Sequence, residues 1–415
     1  MKLKIALATA TTMALVMGSA YANNGNTLYI EQIGTGNTSL VHQSNGGGNN
    51  DVGTLSDPIT QQGNSNNFVY SNADANASGT NNDLVKGEQV GDSNVMITST
   101  WNGAVNNVIQ DAQQIGSSNQ ARFSINGADN GGIGTSLQQG NNNHLLIEQS
   151  GTNGNTVTSV TTIGDNNGLA PDGNGAMRRV GTLIRQSGSG NTVSNSYIEG
   201  DNNTGPAGNS NTYRNVHRIE QTGTNNGQIA SRAVTRGSNG NKIWVFQNGS
   251  SNQFDLEQGI DDTSTQNFTT VTQSGSSNDV TGRQAGSQNT ITSTQTGDFN
   301  HANIVQTGDG NTATANITGN SNGAGLFSGN AATLATAKAL TSGDIIQTGA
   351  SNTALYTVSG SDNNQFAFLQ QGSLNSITGT VSGAGANQAA VAQVGNSNAT
   401  TFTQAGGSNN LSVSQ

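Results

Sequence analysis

At 415 residues the chain is long enough for two or three globular domains, yet 31% of it is hydrophobic and 9% charged, with 57 glycines; globular chains hold roughly 45–50% and about 25%. A formal charge of −10 disfavours nucleic acid as a partner, and the lack of cysteine excludes disulfides, thiolate metal sites, cysteine nucleophiles and lipoprotein anchoring. Poverty in apolar and charged residues alike, with abundant Asn, Gln, Ser and Thr, points to hydrogen-bond ladders rather than to the charge-rich composition of disordered segments.

In chain order, Met1–Lys4 is a short basic region, Ile5–Met17 an apolar stretch and Ala20-Tyr21-Ala22 a small-x-small cleavage site. Residues 1–22 therefore read as a secretory signal peptide, shorter than the span of about 20 apolar residues that a bilayer needs. Cleavage there removes Lys2 and Lys4 and takes the charge from −10 to −12.

Residues 23–415 form one tandem array, in which Gln-x-Gly-x-x-Asn occurs 16 times. Copies run from Gln32 to Asn37, Gln138 to Asn143, Gln247 to Asn252, Gln273 to Asn278, Gln284 to Asn289, Gln295 to Asn300 and Gln306 to Asn311. Others run from Gln347 to Asn352, Gln370 to Asn375, Gln393 to Asn398 and Gln404 to Asn409, and further copies begin at Gln61, Gln89, Gln114, Gln186 and Gln221. Gln273, Gln284, Gln295 and Gln306 lie 11 residues apart, which sets a half-repeat of 11 and a full repeat of 22. From each Asn the residues alternate toward the next Gln: Asn143, Leu145, Ile147, Gln149; Asn252, Phe254, Leu256, Gln258; Asn409, Leu411, Val413, Gln415. Gln43 closes the strand after Asn37 in the same way.

This period of two predicts strands with Asn, two apolar or small residues and Gln on one face. Gly34, Gly275, Gly286, Gly297, Gly308, Gly395 and Gly406 sit where the chain must reverse, since Gly and Asn accept positive φ. Asp92, Asp165, Asp201, Asp298 and Asp309 each follow a turn glycine. Stacking is expected to bring some of these acids into neighbouring layers, where like charges restrain assembly.

Two strands and two turns make a rung that cannot bury its own apolar face, so the expected fold is an all-β solenoid of about 16 stacked rungs. Stacking sets Gln on Gln and Asn on Asn about 4.8 Å apart, so that each amide donates to one neighbour and accepts from the other. Residues 44–57, 168–182, 204–215 and 323–343 interrupt the rhythm and read as loop insertions. Pro58, Pro171 and Pro206 lie in or beside these breaks, as residues lacking a ladder donor should. Ala331–Leu340 is the one candidate for a short helix.

No catalytic or cofactor motif emerges: there is no Gly-x-Ser-x-Gly, His-Glu-x-x-His or Gly-x-x-x-x-Gly-Lys. No enzyme, cofactor, metal or small-molecule substrate is expected. His42, His144 and His301 have outward parity and read as solvated, while Gly46–Asp51 reads as a flexible loop rather than a calcium turn. Phe254, Phe366, Phe368 and Phe402 read as core, and Trp244 as outward. Thr290, Thr292 and Thr294 give one strand the outward threonines of an ice-binding solenoid; the following strand offers His301, Asn303 and Val305, so no continuous Thr face is expected.

The run Gln273-Ser-Gly-Ser-Ser-Asn278 through Gln306-Thr-Gly-Asp-Gly-Asn311 resembles the curlin repeat of curli fibre subunits, and the resemblance covers nearly all of residues 28–415. It implies a secreted, cell-surface structural protein of Gram-negative biofilms that polymerises head-to-tail into amyloid-like fibres for adhesion and aggregation. It also implies a minor nucleating subunit and an outer-membrane export channel as partners. The chain departs from the family's pattern in its larger number of repeats and in having only Asn23–Asn26 between the leader and the first repeat. No Lys or Arg follows Lys338, which favours a polymerising subunit over a basic nucleator. The rival expectations are a monomeric secreted solenoid adhesin and a nucleator of such fibres.

Overall fold

The computed structural model describes residues 14–15, 27–43, 50–72, 82–101, 106–130, 132–151, 154–165, 167, 181–200, 215–228, 230–236, 240–259 and 265–415. The leader, apart from Ala14–Leu15, and Asp201 lie outside these residues, as does the side chain of Gln43. The protein is a parallel β-solenoid of about 13 turns. It divides into two compact units, Met1–Asn225 and Asn226–Gln415, where the repeat pattern alone gives one domain.

In both units each rung contributes one strand to each of two parallel sheets, so strands consecutive in sequence lie in opposite sheets. In unit 1, sheet 1 takes Ile30–Ile33, Ile59–Gln62, Asp83–Val90, Val108–Ile115, Gly132–Gln139 and Thr156–Ile163. Sheet 2 of that unit takes Thr38–Gln43, Asn67–Asn72, Val95–Trp101, Gln120–Asn126, His144–Ser150, Thr182–Ser189 and Val216–Thr224.

In unit 2, sheet 1 runs from Ser231–Thr235 through Gln253–Gln258, Asp279–Ala285, His301–Thr307, Asp344–Thr348, Gln365–Gln371 and Gln388–Val394 to Asn410–Ser414. Sheet 2 runs from Lys242–Ser250 through Phe268–Ser276, Thr290–Thr296, Thr312–Thr318, Thr353–Ser359 and Ser376–Ser382 to Ala399–Ala405. The strands Thr290–Thr296 and His301–Thr307 are therefore not neighbours, and the expectation that no continuous Thr face exists does not hold.

Rungs are fewer than expected because many are longer than the 22 residues separating Gln273 from Gln295: 29 separate Gln32 from Gln61 and 41 separate Gln306 from Gln347.

Alternation does the folding work. Inward residues such as Phe123, Ile147, Phe254, Ile304 and Phe368 are fully buried. At about 25 cal/mol per Å², each large side chain contributes on the order of 1.5–3 kcal/mol. Bulky residues face gaps: a Cβ on Gly379 would lie 2.4 Å from the Phe402 ring, and one on Gly282 2.9 Å from Leu256. Phe402 itself packs part-buried against this core.

The insertion 323–343 leaves and rejoins without breaking the stack. After Asn322 the chain turns out at Gly323 and returns at Gly343, whose N–H groups donate to Asn364 and Phe366 in the next rung at 2.8 Å. Between them lies the helix Gly329–Ala337, which overlaps the expected Ala331–Leu340 but starts and ends earlier. Its Ala331, Leu334 and Ala335 pack on Ala367, Leu369, Ala390 and Ala392 of the outer face of sheet 1. Segment 44–57 is only partly an insertion, because Asn50 is buried in the stack and Asp51–Val52 pairs with Thr27–Leu28. His144 is buried beside Leu146 on the outer face of its sheet, contrary to its expected solvation.

Candidate functional site: the stacked amide columns

The inward Gln residues form side-chain ladders. In unit 1, sheet 1 stacks Gln32, Gln61, Gln89, Gln114 and Gln138. Each Nε2 donates forward to the Oε1 of the next rung, at 2.8 Å from Gln61 to Gln89 and 2.9 Å from Gln114 to Gln138. In unit 2, Gln258, Gln284, Gln306, Gln347, Gln370, Gln393 and Gln415 do the same, at 2.8–3.0 Å. The second Nε2 hydrogen crosses to the facing sheet, as from Gln306 to the Thr290 carbonyl at 3.0 Å. One side chain thus ties consecutive rungs and opposite sheets.

Sheet 2 is less regular. Gln149, Gln186 and Gln221 stack in unit 1, and Gln247, Gln273 and Gln295 in unit 2. Elsewhere the same register holds Asn72, Thr100 and Ile125, or Ile317, Val358 and Val381, before Gln404. In sheet 1, Thr162 and Ile198 follow Gln138. The ladders all point one way, so a Gln with no Gln behind it lacks a ladder donor: the Oε1 atoms of Gln32, Gln149 and Gln404 are buried without a partner, while that of Gln258 accepts the Thr235 hydroxyl at 3.5 Å.

The Asn columns work through the backbone instead of amide on amide alone. The Oδ1 of Asn289 accepts the N–H of Asn311 at 2.9 Å, and its Nδ2 donates to the Gly308 carbonyl at 2.6 Å. Both partners belong to the next rung. The pattern repeats through Asn37, Asn66, Asn94, Asn119 and Asn143 in unit 1. On the other turn, Asn252, Asn278, Asn300 and Asn322 follow it. Asn311, Asn352, Asn375 and Asn398 continue the first unit 2 column, and Asn387 and Asn409 end the second. At Asn398 and Asn409, Nδ2 turns back to its own rung, to Val394 and Ala405.

The turn glycines are held by this contact. A Cβ on Gly34, Gly275, Gly286, Gly297 or Gly308 would lie 1.9–2.3 Å from a glycine carbonyl of the next rung. At Gly395 and Gly406 no such carbonyl follows, and only their φ of +118° and +89° demands glycine. Positive φ falls also on the residue before the motif Asn, at Ser277 (57°), Phe299 (58°) and Ser321 (56°), rather than on that Asn as expected. Asn is there for its hydrogen bonds.

The turn acids are acceptors. Asp92, Asp165, Asp298 and Asp309 each take a backbone N–H from the preceding rung at 2.7 Å, from Asn64, Asn141, Ser276 and Ser287. Asn64, Asn320 and Asn396 fill the same place in other rungs. Asp92 and Asp298 do not stack on other acids: Asn64 and Ser117 flank the first, Ser276 and Asn320 the second. Asp309 lies between Ser287 and Ala350. The expected like-charge stacking is absent at these three.

Outward charges pair by rung. Arg185 bridges Glu148 and Glu220 at 2.8 and 3.6 Å, and Arg232 meets Asp255 at 3.1 Å. Asp51 and Asp83 are an exception, stacked in adjacent rungs, and burial pushes the Asp83 carboxyl up. One core histidine escaped the sequence reading: His217 is fully buried against the Ser196 hydroxyl at 2.9 Å, and burial lowers its pKa from 6.5 to about 3. Among the described residues no group of His, Asp and Glu could hold a metal ion. No protein family matches the chain, and no curated protein is detectably similar to it.

Proposed function

We propose that this protein is a secreted structural subunit that assembles head-to-tail into extracellular, curli-like amyloid fibres. The observation that supports this reading most is the one-way polarity of the amide columns. Each Gln donates forward and each Asn grips the rung ahead, so two copies meeting end to end offer donor to acceptor and glycine to glycine. A heterologous join of this kind does not close and propagates as a filament. Carriage by a signal peptide follows from residues 1–22, and a biofilm role and the partnership of a nucleator and an export channel follow from the curlin resemblance of the repeat.

The test lies at the strand Asn410–Ser414. Gln388 and Val394 donate forward to Asn409 and Gln415, while Gln415 donates back to Ala392. By this alternation Leu411 and Val413 bond back to their own stack, and Asn410, Ser412 and Ser414 present the open edge. Proline at Ser412 and Ser414 removes forward donors alone and is expected to stop elongation at that edge. If this variant forms fibres as fast as one with added prolines in 168–182, growth does not pass through that edge, and a monomeric adhesin becomes the better reading.

A further inference from the structure

The outer face of sheet 2 in unit 2 has a composition that its fold does not require. Six strands from Phe268–Ser276 to Ala399–Ala405 lie in register. One outward column reads Thr270, Thr292, Thr314, Leu355, Thr378 and Thr401. The next reads Thr272, Thr294, Asn316, Thr357, Thr380 and Thr403. Ten of these twelve positions are threonine, and all are half-exposed or exposed.

Threonine favours strands in general, but that preference does not account for the array. The matching positions of sheet 1 in the same unit hold a single threonine, Thr281, among residues such as Asp255, Glu257, Arg283 and Asn303. Among the described residues of unit 1, the two equivalent positions of each sheet 2 strand carry residues such as Leu40, Arg122, Glu148 and Arg185, and no threonine. Charge is segregated as well. None of the twelve positions is ionisable, whereas Asp255, Glu257, Asp279 and Arg283 crowd the outer face of sheet 1.

We propose that this threonine face binds ice. This inference does not depend on the fibre reading. Stacked strands repeat at about 4.8 Å, and alternate residues along a strand at roughly 6.6–6.8 Å. The result is a two-dimensional net of hydroxyls and methyls whose spacings are near the oxygen repeats on the prism faces of hexagonal ice. Threonine is stiff at χ1, so neighbouring side chains hold one orientation, and ordered water can settle on the net without reorganising it. A charged group would keep a hydration shell of its own that an ice lattice cannot accommodate. A crystalline polysaccharide fits less well, because such surfaces are met by exposed aromatic rings. Trp244 and Phe246 precede Thr270 and Thr272 in the same two columns, so aromatic residues stand at one end of the threonine net rather than across it.

The experiment freezes a solution of residues 23–415 slowly onto a cold finger and measures the protein captured in the ice, together with thermal hysteresis. The wild-type chain is expected to enter the ice and to separate melting from freezing. Thr294→Lys with Thr380→Lys should reduce both to the level of a protein without ice affinity, while Thr281→Lys on sheet 1 leaves them unchanged. Should the lysine pair lower the melting temperature, Thr294→Asn with Thr380→Asn carries the test, because Asn316 already sits in that column; it should lose part of the capture. Exclusion of the wild-type chain from ice would overturn the proposal. So would equal losses from Thr281→Lys, or retention on microcrystalline cellulose without capture in ice.

Discussion

Asn289 makes two contacts with the rung ahead, accepting from Asn311 and donating to Gly308. Replacing it by Ala orphans a buried N–H and a carbonyl, at about 1–3 kcal/mol each. Asn289→Ala should therefore destabilise the protein by about 2–4 kcal/mol, read from denaturant midpoints at unchanged slope. The turn acids predict something different. Asn occupies the acceptor place of Asp298 at Asn320 and Asn396, so Asp→Asn at Asp92, Asp165, Asp298 and Asp309 removes charge and keeps the contact. Stability should change little, while four fewer negative charges shorten the lag before fibres appear by easing repulsion between whole copies rather than between stacked acids; an unchanged lag would remove charge as a brake on assembly. At this scale the sequence was legible wherever a residue recurs at fixed spacing, as Gln and Asn do. The left-handed residue before each Asn was not, because Ser, Phe and Leu carry no signature of positive φ. Nor was the burial of His217, whose column partner in the previous rung is Thr182.

At the scale of elements, the helix Gly329–Ala337 acts as a strap. Ser328 makes no side-chain cap of its own. Instead the Ala331 N–H donates to Asn410 at 2.9 Å, and the Asn410 amide donates to the Ser328 carbonyl at 2.7 Å. A residue 79 positions away thus caps the helix from the strand Asn410–Ser414. Asn410→Ala should cost about 1–2 kcal/mol locally, seen as faster amide exchange in both the helix and that strand, with the rest of the unit unaffected. Period-two alternation revealed the strands. It did not reveal which strands are neighbours: the intervening strand belongs to the other sheet, and this is why the threonine face could not be recognised from consecutive segments. The interrupted Gln column at Ile125 was likewise hidden, since an apolar residue keeps the parity while dropping the amide, whereas that at Val358 is legible because Val358-Ser-Gly-Ser-Asp-Asn363 keeps the motif's Gly and Asn.

At the scale of the whole molecule, stability and assembly are coupled to pH and to polarity. His217 stays neutral in the fold down to about pH 3 but titrates near 6.5 when unfolded. The folded state binds fewer protons between those values, so its contribution is complete above pH 6.5 and is lost as pH falls toward 3. The loss should approach about 1.4 kcal/mol for each pH unit below that range's upper end, and His217→Thr should flatten this part of the profile. Asp83 acts in the opposite sense: its raised pKa favours the protonated fold, so acid relieves its stacking on Asp51. The central claim is that the amide columns template a second copy as they template the next rung. Fibre diffraction on aligned material grown from purified residues 23–415 tests this most directly. The account predicts a meridional reflection at about 4.7–4.8 Å from strands perpendicular to the fibre axis; a chain that stays monodisperse, or fibres without that reflection, would contradict it.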